Sequence, residues 1–319
     1  MKKVLVTGSC GFIGFHITQK LLREDFQVIG IDNMNSYYDI LLKENRLKSL
    51  KENENFKFYK INLEDKDNLK KIFQAYKFDI VINLAAQAGV RYSAKNPSAY
   101  YDSNIVGFLN VIGLSKDFSS KFIYASSSSV YGAEINIPYR ESIKKVSPLS
   151  LYGITKKVNE DIADFFYSEF KFKSYGLRFF SVYGPFGRPD MAYYKFSESI
   201  RRGHPITVYN RGLMSRDMTF IDDICDGILN AIGLDINAHE IFNLGNSNPI
   251  KLNYLINFLE NFFNKKATIN FEESQGEVMH TFADISKSKK ILGFSPKVSF
   301  EDGMEIFLKW FCNYYSFNE

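Results

Sequence analysis

Val4-Leu-Val-Thr-Gly8-Ser-Cys-Gly11-Phe-Ile-Gly14 decides the architecture of this chain. A short apolar run ends in three glycines at spacing G-x-x-G-x-x-G, and helical periodicity takes over from Gly14 to Arg23. Glycines let the backbone turn tightly and approach a pyrophosphate, while the first turn of the helix offers free amides and a partial positive charge. A glycine triplet by itself is also what any tight strand-to-helix turn requires. The strand before it and the helix after it point to a dinucleotide site at Gly8, Gly11, Phe12, Ile13 and Gly14.

The next apolar run, Gln27-Val-Ile-Gly-Ile, ends in Ile31-Asp32-Asn33. Its carboxylate falls about 20 residues past the glycines, where an acidic side chain accepts from a ribose 2′-hydroxyl. Asp32 would repel a 2′-phosphate, and no Arg or Lys adjoins it in the sequence. NAD is therefore expected over NADP, with Asn33 beside it.

The same alternation continues through Phe56-Lys-Phe-Tyr, Leu69 to Tyr76, Ile80-Val-Ile-Asn, Lys121-Phe-Ile-Tyr-Ala and Ser174-Tyr-Gly-Leu-Arg. Repeated strand and helix patterns imply a Rossmann-type α/β fold, a doubly wound parallel sheet with crossover helices on both faces. After residue 182 the rhythm breaks at Tyr183-Gly-Pro-Phe-Gly-Arg-Pro. We expect a dinucleotide-binding domain over 1–182 and a smaller mixed α/β substrate lobe over 183–319. The chain should return to the first domain around 220–245, through a helix opening at Asp222 and a strand at Glu240-Ile-Phe-Asn-Leu.

Composition narrows the class. Apolar residues are 45% and charged residues 24% of 319, so neither disorder nor a fibrous protein is indicated. The formal charge of +4 is dispersed, and Lys43 to Lys51 reads as a solvated helix face, so no nucleic-acid partner is expected. The three cysteines, Cys10, Cys225 and Cys312, are far apart, which argues against a disulfide framework or a metal site and for a reducing, cytoplasmic setting. No apolar run reaches the roughly 18 residues of a membrane span.

Two further segments carry chemistry. Tyr152-x-x-x-Lys156 opens a helical stretch to Phe166, and a spacing of four puts both side chains on one face. An ammonium near the phenol, together with a positive nicotinamide, would lower the phenol pKa and make Tyr152 a proton acceptor. The pattern is common by chance in a chain with 20 tyrosines. Its weight comes from Ser126-Ser127-Ser128-Ser129, which follows the strand Phe122 to Ala125 at the cofactor end of the sheet.

Together these segments resemble the extended short-chain dehydrogenase/reductases, and within them the NAD-dependent nucleotide-sugar 4-epimerases. The resemblance runs end to end, through Val4-Leu-Val-Thr-Gly, Asn83-Leu-Ala-Ala-Gln, Asn104-Ile-Val-Gly, Tyr152-Gly-Ile-Thr-Lys, Arg178-Phe-Phe-Ser-Val-Tyr-Gly-Pro and Arg216-Asp-Met-Thr-Phe-Ile-Asp-Asp. It implies that Ser127, Tyr152 and Lys156 are catalytic, that Lys156 also binds the nicotinamide ribose, and that Arg216 contacts the nucleotide diphosphate. It adds Asn62, Leu63, Leu84, Ala85, Ala86 and Asn104 to the cofactor contacts. At Asn62 the family usually has Asp beside the adenine, and at Glu277, in the nucleotide-ribose region, commonly Asp. The resemblance also suggests a homodimer paired through the Tyr152 helix.

Ala85-Ala-Gln-Ala-Gly-Val-Arg-Tyr-Ser and Gly184-Pro-Phe-Gly-Arg-Pro-Asp-Met-Ala are most similar to the UDP-glucuronate 4-epimerases. Arg91 and Arg188 could each face a sugar carboxylate or diphosphate, or could tie loops to backbone carbonyls. The reaction implied passes through a 4-keto sugar acid prone to losing carbon dioxide. Ser128, Ser129 and Ser181 are candidates for holding its carboxylate. Related 4,6-dehydratases and decarboxylases carry a carboxylate where this chain has Ser128. Two alternatives stay open: a 4-epimerase of UDP-glucose or UDP-N-acetylglucosamine, and a non-catalytic NAD-binding sensor or scaffold on the same fold.

Overall fold

The computed structural model describes residues 1–143, 145–273 and 278–316. Among the described residues twelve strands run in chain order: β1 Lys3–Thr7, β2 Gln27–Asp32, β3 Phe56–Lys60, β4 Ile80–Asn83, β5 Lys121–Ser127, β6 Ser174–Phe179, β7 Ser181–Tyr183, β8 Ile206–Tyr209, β9 Ser215–Phe220, β10 His239–Leu244, β11 Pro249–Lys251 and β12 Ile269–Glu272. Seven of them form one sheet in the order β10-β6-β5-β4-β1-β2-β3, every pairing parallel. Its inner strands are continuous apolar runs because helices cover both faces. Val4 to Val6 and Ile80 to Ile82 are almost wholly buried.

The strand order reverses between β1 and β4, which leaves a crevice beyond their carboxyl ends. Some helices are anchored by a side-chain cap. Asp65 caps the helix Lys66–Tyr76 by accepting from Asn68 N, and Leu69, Ile72 and Phe73 supply its buried face. Ser150 caps Leu151–Phe170 by accepting from Gly153 N at 3.1 Å, which fixes Tyr152 in the first turn.

Beyond β6 the chain builds smaller sheets: β11-β9-β7, and the parallel pair β8 with β12. The helix Ile221–Gly233 and β10 then rejoin the main sheet, β10 pairing with β6. The C-terminal helix Phe300–Ser316 closes an aromatic layer in which Trp310 lies 4.9 Å from Phe186 and Phe307 lies 4.8 Å from Tyr193, ring centre to ring centre.

One expectation is overturned in part. On the lysine-rich helix Ile40–Lys51, Glu44, Lys48 and Lys51 are exposed, but Lys43 and Arg46 are buried with Leu42 and Leu50. Spacings of three and four put the two cations on the inner side. There they find oxygen partners, described below.

Candidate active site

A single cleft of about 1180 Å³ runs from the glycine turn to the second lobe. That volume suits two extended ligands rather than one drug-sized molecule. Gly8, Gly11, Phe12, Ile13, Gly14, Asp32, Asn33, Leu63, Leu84, Ala85 and Ala86 line one end. Ser127, Ser128, Ser129, Tyr152, Lys156 and Ser181 line the middle, and Arg91, Arg188 and Arg216 the rest.

The glycines are sterically required. A Cβ on Gly8, whose φ is +71°, would lie 2.8 Å from Ala85 N, and one on Gly14 would lie 2.0 Å from the Gly8 carbonyl oxygen. Gly8 and Ser9 both donate to the Ile31 carbonyl, so the turn is fastened to the end of β2 beside Asp32. Asp32 accepts from Cys10 N at 3.2 Å and from Met34 N at 2.8 Å. The bare turn, the carboxylate and the open crevice together fit a dinucleotide with a free 2′-hydroxyl.

A cation nevertheless stands at that carboxylate. Lys43 brings its Nζ to 3.7 Å from Asp32 Oδ1 and donates to Asn35 Oδ1 at 2.9 Å. The sequence hid it, because it lies on the following helix. Arg46, one turn further along, donates to the carbonyls of Cys10, Phe186 and Gly187 and to the Tyr38 hydroxyl. It joins the glycine turn to the loop that carries Arg188. His16 adds a bond from its Nε2 to the Pro185 carbonyl, and burial lowers its pKa to about 4, so the ring is neutral there.

Two of the expected cofactor contacts sit elsewhere. Asn62 is exposed and not on the cleft wall. Asn104 is buried, with its side chain spent on Gln87 N, Gln87 O and the Thr155 hydroxyl, while its carbonyl accepts from Asn159. It pins the loop after β4 to the Tyr152 helix and so shapes the cleft from behind. Glu277 lies outside the described residues.

The chemical centre is assembled by close packing. A Cβ on Gly153 would lie 2.6 Å from the Ser129 carbonyl oxygen, so the helix Leu151–Phe170 approaches the serine run as only glycine allows. Alternation along β5 separates the serines. Ser126 turns away and donates to Glu160 Oε1 at 2.6 Å, in a buried cluster where Arg178 grips Glu160 with two bonds of 2.8 Å. Ser127 faces the cleft, where its hydroxyl donates to Ser129 Oγ at 3.2 Å and lies close enough to the Tyr152 phenol to lower its pKa.

Lys156 is buried and donates to the Ala125 carbonyl at 2.9 Å, and burial lowers its pKa to about 8. The Tyr152 phenol does not follow the expected direction in the protein alone. Burial raises its pKa, while the Arg188 charge and the Ser127 hydrogen bond oppose the rise. Arg188 is a charge that lowers it, while the Lys156 ammonium, 6.0 Å from the centre of the Tyr152 ring, donates to a backbone carbonyl.

Arg188 meets a carboxylate of its own chain. Its Nε donates to Asp190 Oδ1 at 2.9 Å and its Nη2 to Asp190 Oδ2 at 2.5 Å. The Tyr37 hydroxyl donates to the same Oδ2 at 3.1 Å. Arg91 is exposed and lies 3.9 Å from the centre of the Tyr209 ring, a cation–π contact. Arg216 on β9 donates to the carbonyls of Ser215 and Met279, which sets it at the second-lobe end of the cleft.

A glycine-rich turn, a serine run and a Tyr-x-x-x-Lys helix around one crevice define a dinucleotide-dependent enzyme of the extended short-chain dehydrogenase/reductase class. The chain belongs to the NAD dependent epimerase/dehydratase family, whose model matches residues 4–245. It is 43% identical over 311 residues to a UDP-glucuronate 4-epimerase of Thermodesulfobacterium geofontis, covering 96% of this chain and 95% of that one. It also superposes on the UDP-glucuronic acid 4-epimerase of Bacillus cereus in complex with UDP-glucuronic acid and NAD, with TM-score 0.93 and 36% identity over 98% of this chain and 100% of that one. A UDP-glucose 4-epimerase of Thermotoga maritima follows with TM-score 0.89 and 31% identity, over 98% and 99% of the two chains.

Proposed function

We propose that this protein inverts carbon 4 of UDP-glucuronate, giving UDP-galacturonate, with Ser127, Tyr152 and Lys156 as its catalytic residues. The observation that carries this reading is the position of Arg188. It lines the same cleft as Ser127, Tyr152 and Lys156, and its charge opposes the rise of the Tyr152 pKa, which supports a sugar that offers carbon 4 to Tyr152 and its neighbouring carboxylate to the guanidinium.

Bound NAD supplies the acceptor and later the donor of the carbon-4 hydride. The chain handles the proton and the orientation. Tyr152, assisted by Ser127, takes the proton of the 4-hydroxyl and gives it back once the sugar has turned over. Lys156, anchored on the Ala125 carbonyl, would hold the nicotinamide ribose. Arg216 holds the diphosphate as the pivot of the turn, with Arg91 a second cation on the cleft wall. Ser128, Ser129 and Ser181 fix the carboxylate away from the alignment in which carbon dioxide leaves.

We read the active form as a cytoplasmic homodimer joined through the helix Leu151–Phe170. Ile154 and Phe165 on that helix are 47% and 54% exposed, and the cysteines are free thiols. Incubating the purified protein with UDP-glucuronate and following the products by NMR tests the assignment. UDP-galacturonate is expected. Turnover of UDP-glucose or UDP-N-acetylglucosamine alone would leave a 4-epimerase of a neutral sugar, and loss of carbon dioxide would make the protein a decarboxylase.

A further inference from the structure

The Arg188 guanidinium has two edges that can each grip a carboxylate, and the chain has filled only one. Asp190 takes the Nε and Nη2 edge with two bonds, whereas Nη1 makes no hydrogen bond to any described residue. The guanidinium still lines the cleft, with 25% of its side chain exposed. Asp190 is itself held by the Tyr37 hydroxyl, which donates to Oδ2 at 3.1 Å. Tyr37 in turn is locked against the loop after β4, for a Cβ on Gly89 would lie 2.2 Å from its hydroxyl oxygen. Its ring packs 4.8 Å from that of Tyr92.

A flexible arginine must lose considerable side-chain entropy to form a two-point grip, and the loss is smaller when the planar fork is already fixed. The column Tyr37, Asp190, Arg188 fixes it. Burial pushes the Asp190 carboxyl up, but the Arg188 charge and its hydrogen bonds, with the bond from Tyr37, outweigh that and hold it below its ordinary range, so it is ionised throughout the working pH range.

We propose that Asp190 is a positioning residue for sugar-acid recognition, which grips one edge of Arg188 so that the other edge is pre-oriented toward the substrate carboxylate, with Tyr37 bracing Asp190. This inference rests on the reading of the site as one for a UDP-hexuronate. A neutral hexose offers nothing for the second edge, so the column acts on the selectivity between acidic and neutral sugars.

The test compares NAD-bound wild type, Asp190→Asn, Tyr37→Phe, Arg188→Ala and the double variant Arg188→Ala/Asp190→Asn on UDP-glucuronate and UDP-glucose. Asp190→Asn is expected to raise KM for UDP-glucuronate tenfold or more, with a smaller loss in kcat and a smaller loss on UDP-glucose. Tyr37→Phe should do the same more weakly. The double variant should lose no more on UDP-glucuronate than Arg188→Ala alone, because Asp190 acts only through Arg188. Bound NAD and the unfolding temperature, measured for every variant, show which ones have folded.

Tighter binding of UDP-glucuronate by Asp190→Asn would make Asp190 an internal competitor for Arg188 and overturn the proposal. So would equal losses on both sugars, or losses that add in the double variant. Failure to fold by Asp190→Asn leaves Tyr37→Phe to decide, and an unchanged KM for UDP-glucuronate in it would overturn the proposal too. Wild-type turnover of UDP-glucose alone overturns the substrate reading and this inference with it, whereas wild-type turnover of UDP-glucuronate with an indifferent Asp190→Asn overturns the inference only.

Discussion

Lys43 places its Nζ 3.7 Å from Asp32 Oδ1 at the cofactor end of the cleft, with both side chains almost wholly buried. The carboxylate excludes a 2′-phosphate, yet the cation that would welcome one stands beside it. Cofactor choice therefore depends on a single charge. Asp32→Ser should weaken NAD about tenfold or more, since a hydrogen bond to a charged group contributes roughly 1.5–3 kcal/mol. It should admit NADP at the same time. Adding Lys43→Met should take NADP binding away again. Titration of cofactor into stripped protein measures all three, and NADP binding by the double variant would place the phosphate elsewhere.

Tyr152→Phe keeps the ring and removes the proton acceptor. Turnover of UDP-glucuronate should drop ~10²-fold or more with NAD content unchanged. Product NMR and mass spectrometry of the denatured protein report the two quantities. Near-normal turnover would shift the proton to Ser127 or another group.

Lys156 carries a stability penalty in the cofactor-free protein. Burial lowers its pKa from 10.5 to about 8, so between those values the unfolded chain holds a proton that the folded chain does not. Stability should then rise as pH climbs through that window, with the penalty fully present below it. Lys156→Met is expected to stabilise the cofactor-free protein at pH 7 by about 1–3 kcal/mol while abolishing most turnover. Denaturant unfolding at pH 7 and pH 10 checks the sign. A variant no more stable than wild type at pH 7 would mean that the Ala125 carbonyl bond outweighs the burial cost.

Two glycine substitutions should act in opposite directions. A Cβ at Gly14 would sit 2.0 Å from the Gly8 carbonyl oxygen, so Gly14→Ala must distort the turn, costing about 3 kcal/mol or more and the bound NAD. Gly113, inside the helix Gly107–Asp117, has nothing within 4 Å of its Cβ position. Gly113→Ala should stabilise by about 0.4–1 kcal/mol. Thermal unfolding with and without added NAD separates the two cases.

Arg188→Ala should weaken turnover of UDP-glucuronate roughly ten- to a hundredfold, and any turnover of UDP-glucose much less. A loosely held carboxylate should also release more carbon dioxide, seen as a UDP-pentose by-product. Equal losses on the two sugars would assign Arg188 to the diphosphate or to the shape of its loop.

The sequence by itself determined the parallel sheet, the glycine turn and the gathering of Ser127, Tyr152 and Lys156 along one cleft. Each depends on local spacing: an apolar strand, a turn that excludes Cβ, and a helix whose first turn is fixed by a Ser150 cap. Tertiary structure alone decided what the long cations do. Lys43 and Arg46 look like a solvated helix face in the sequence, but the turn after β2 swings their helix inward, where Asp32, Asn35 and the Cys10 and Phe186 carbonyls receive them. Asn104, legible as a cofactor contact, is consumed by Gln87 and Thr155. Arg188, read as facing a sugar carboxylate or diphosphate or as tying its loop to backbone carbonyls, is gripped by Asp190, which Tyr37 braces from a loop 153 positions away in the chain. Backbone turns and helix caps are short-range and survive in the order of residues. Charge pairing reaches across the fold, and only the packed cleft says which oxygen each cation meets.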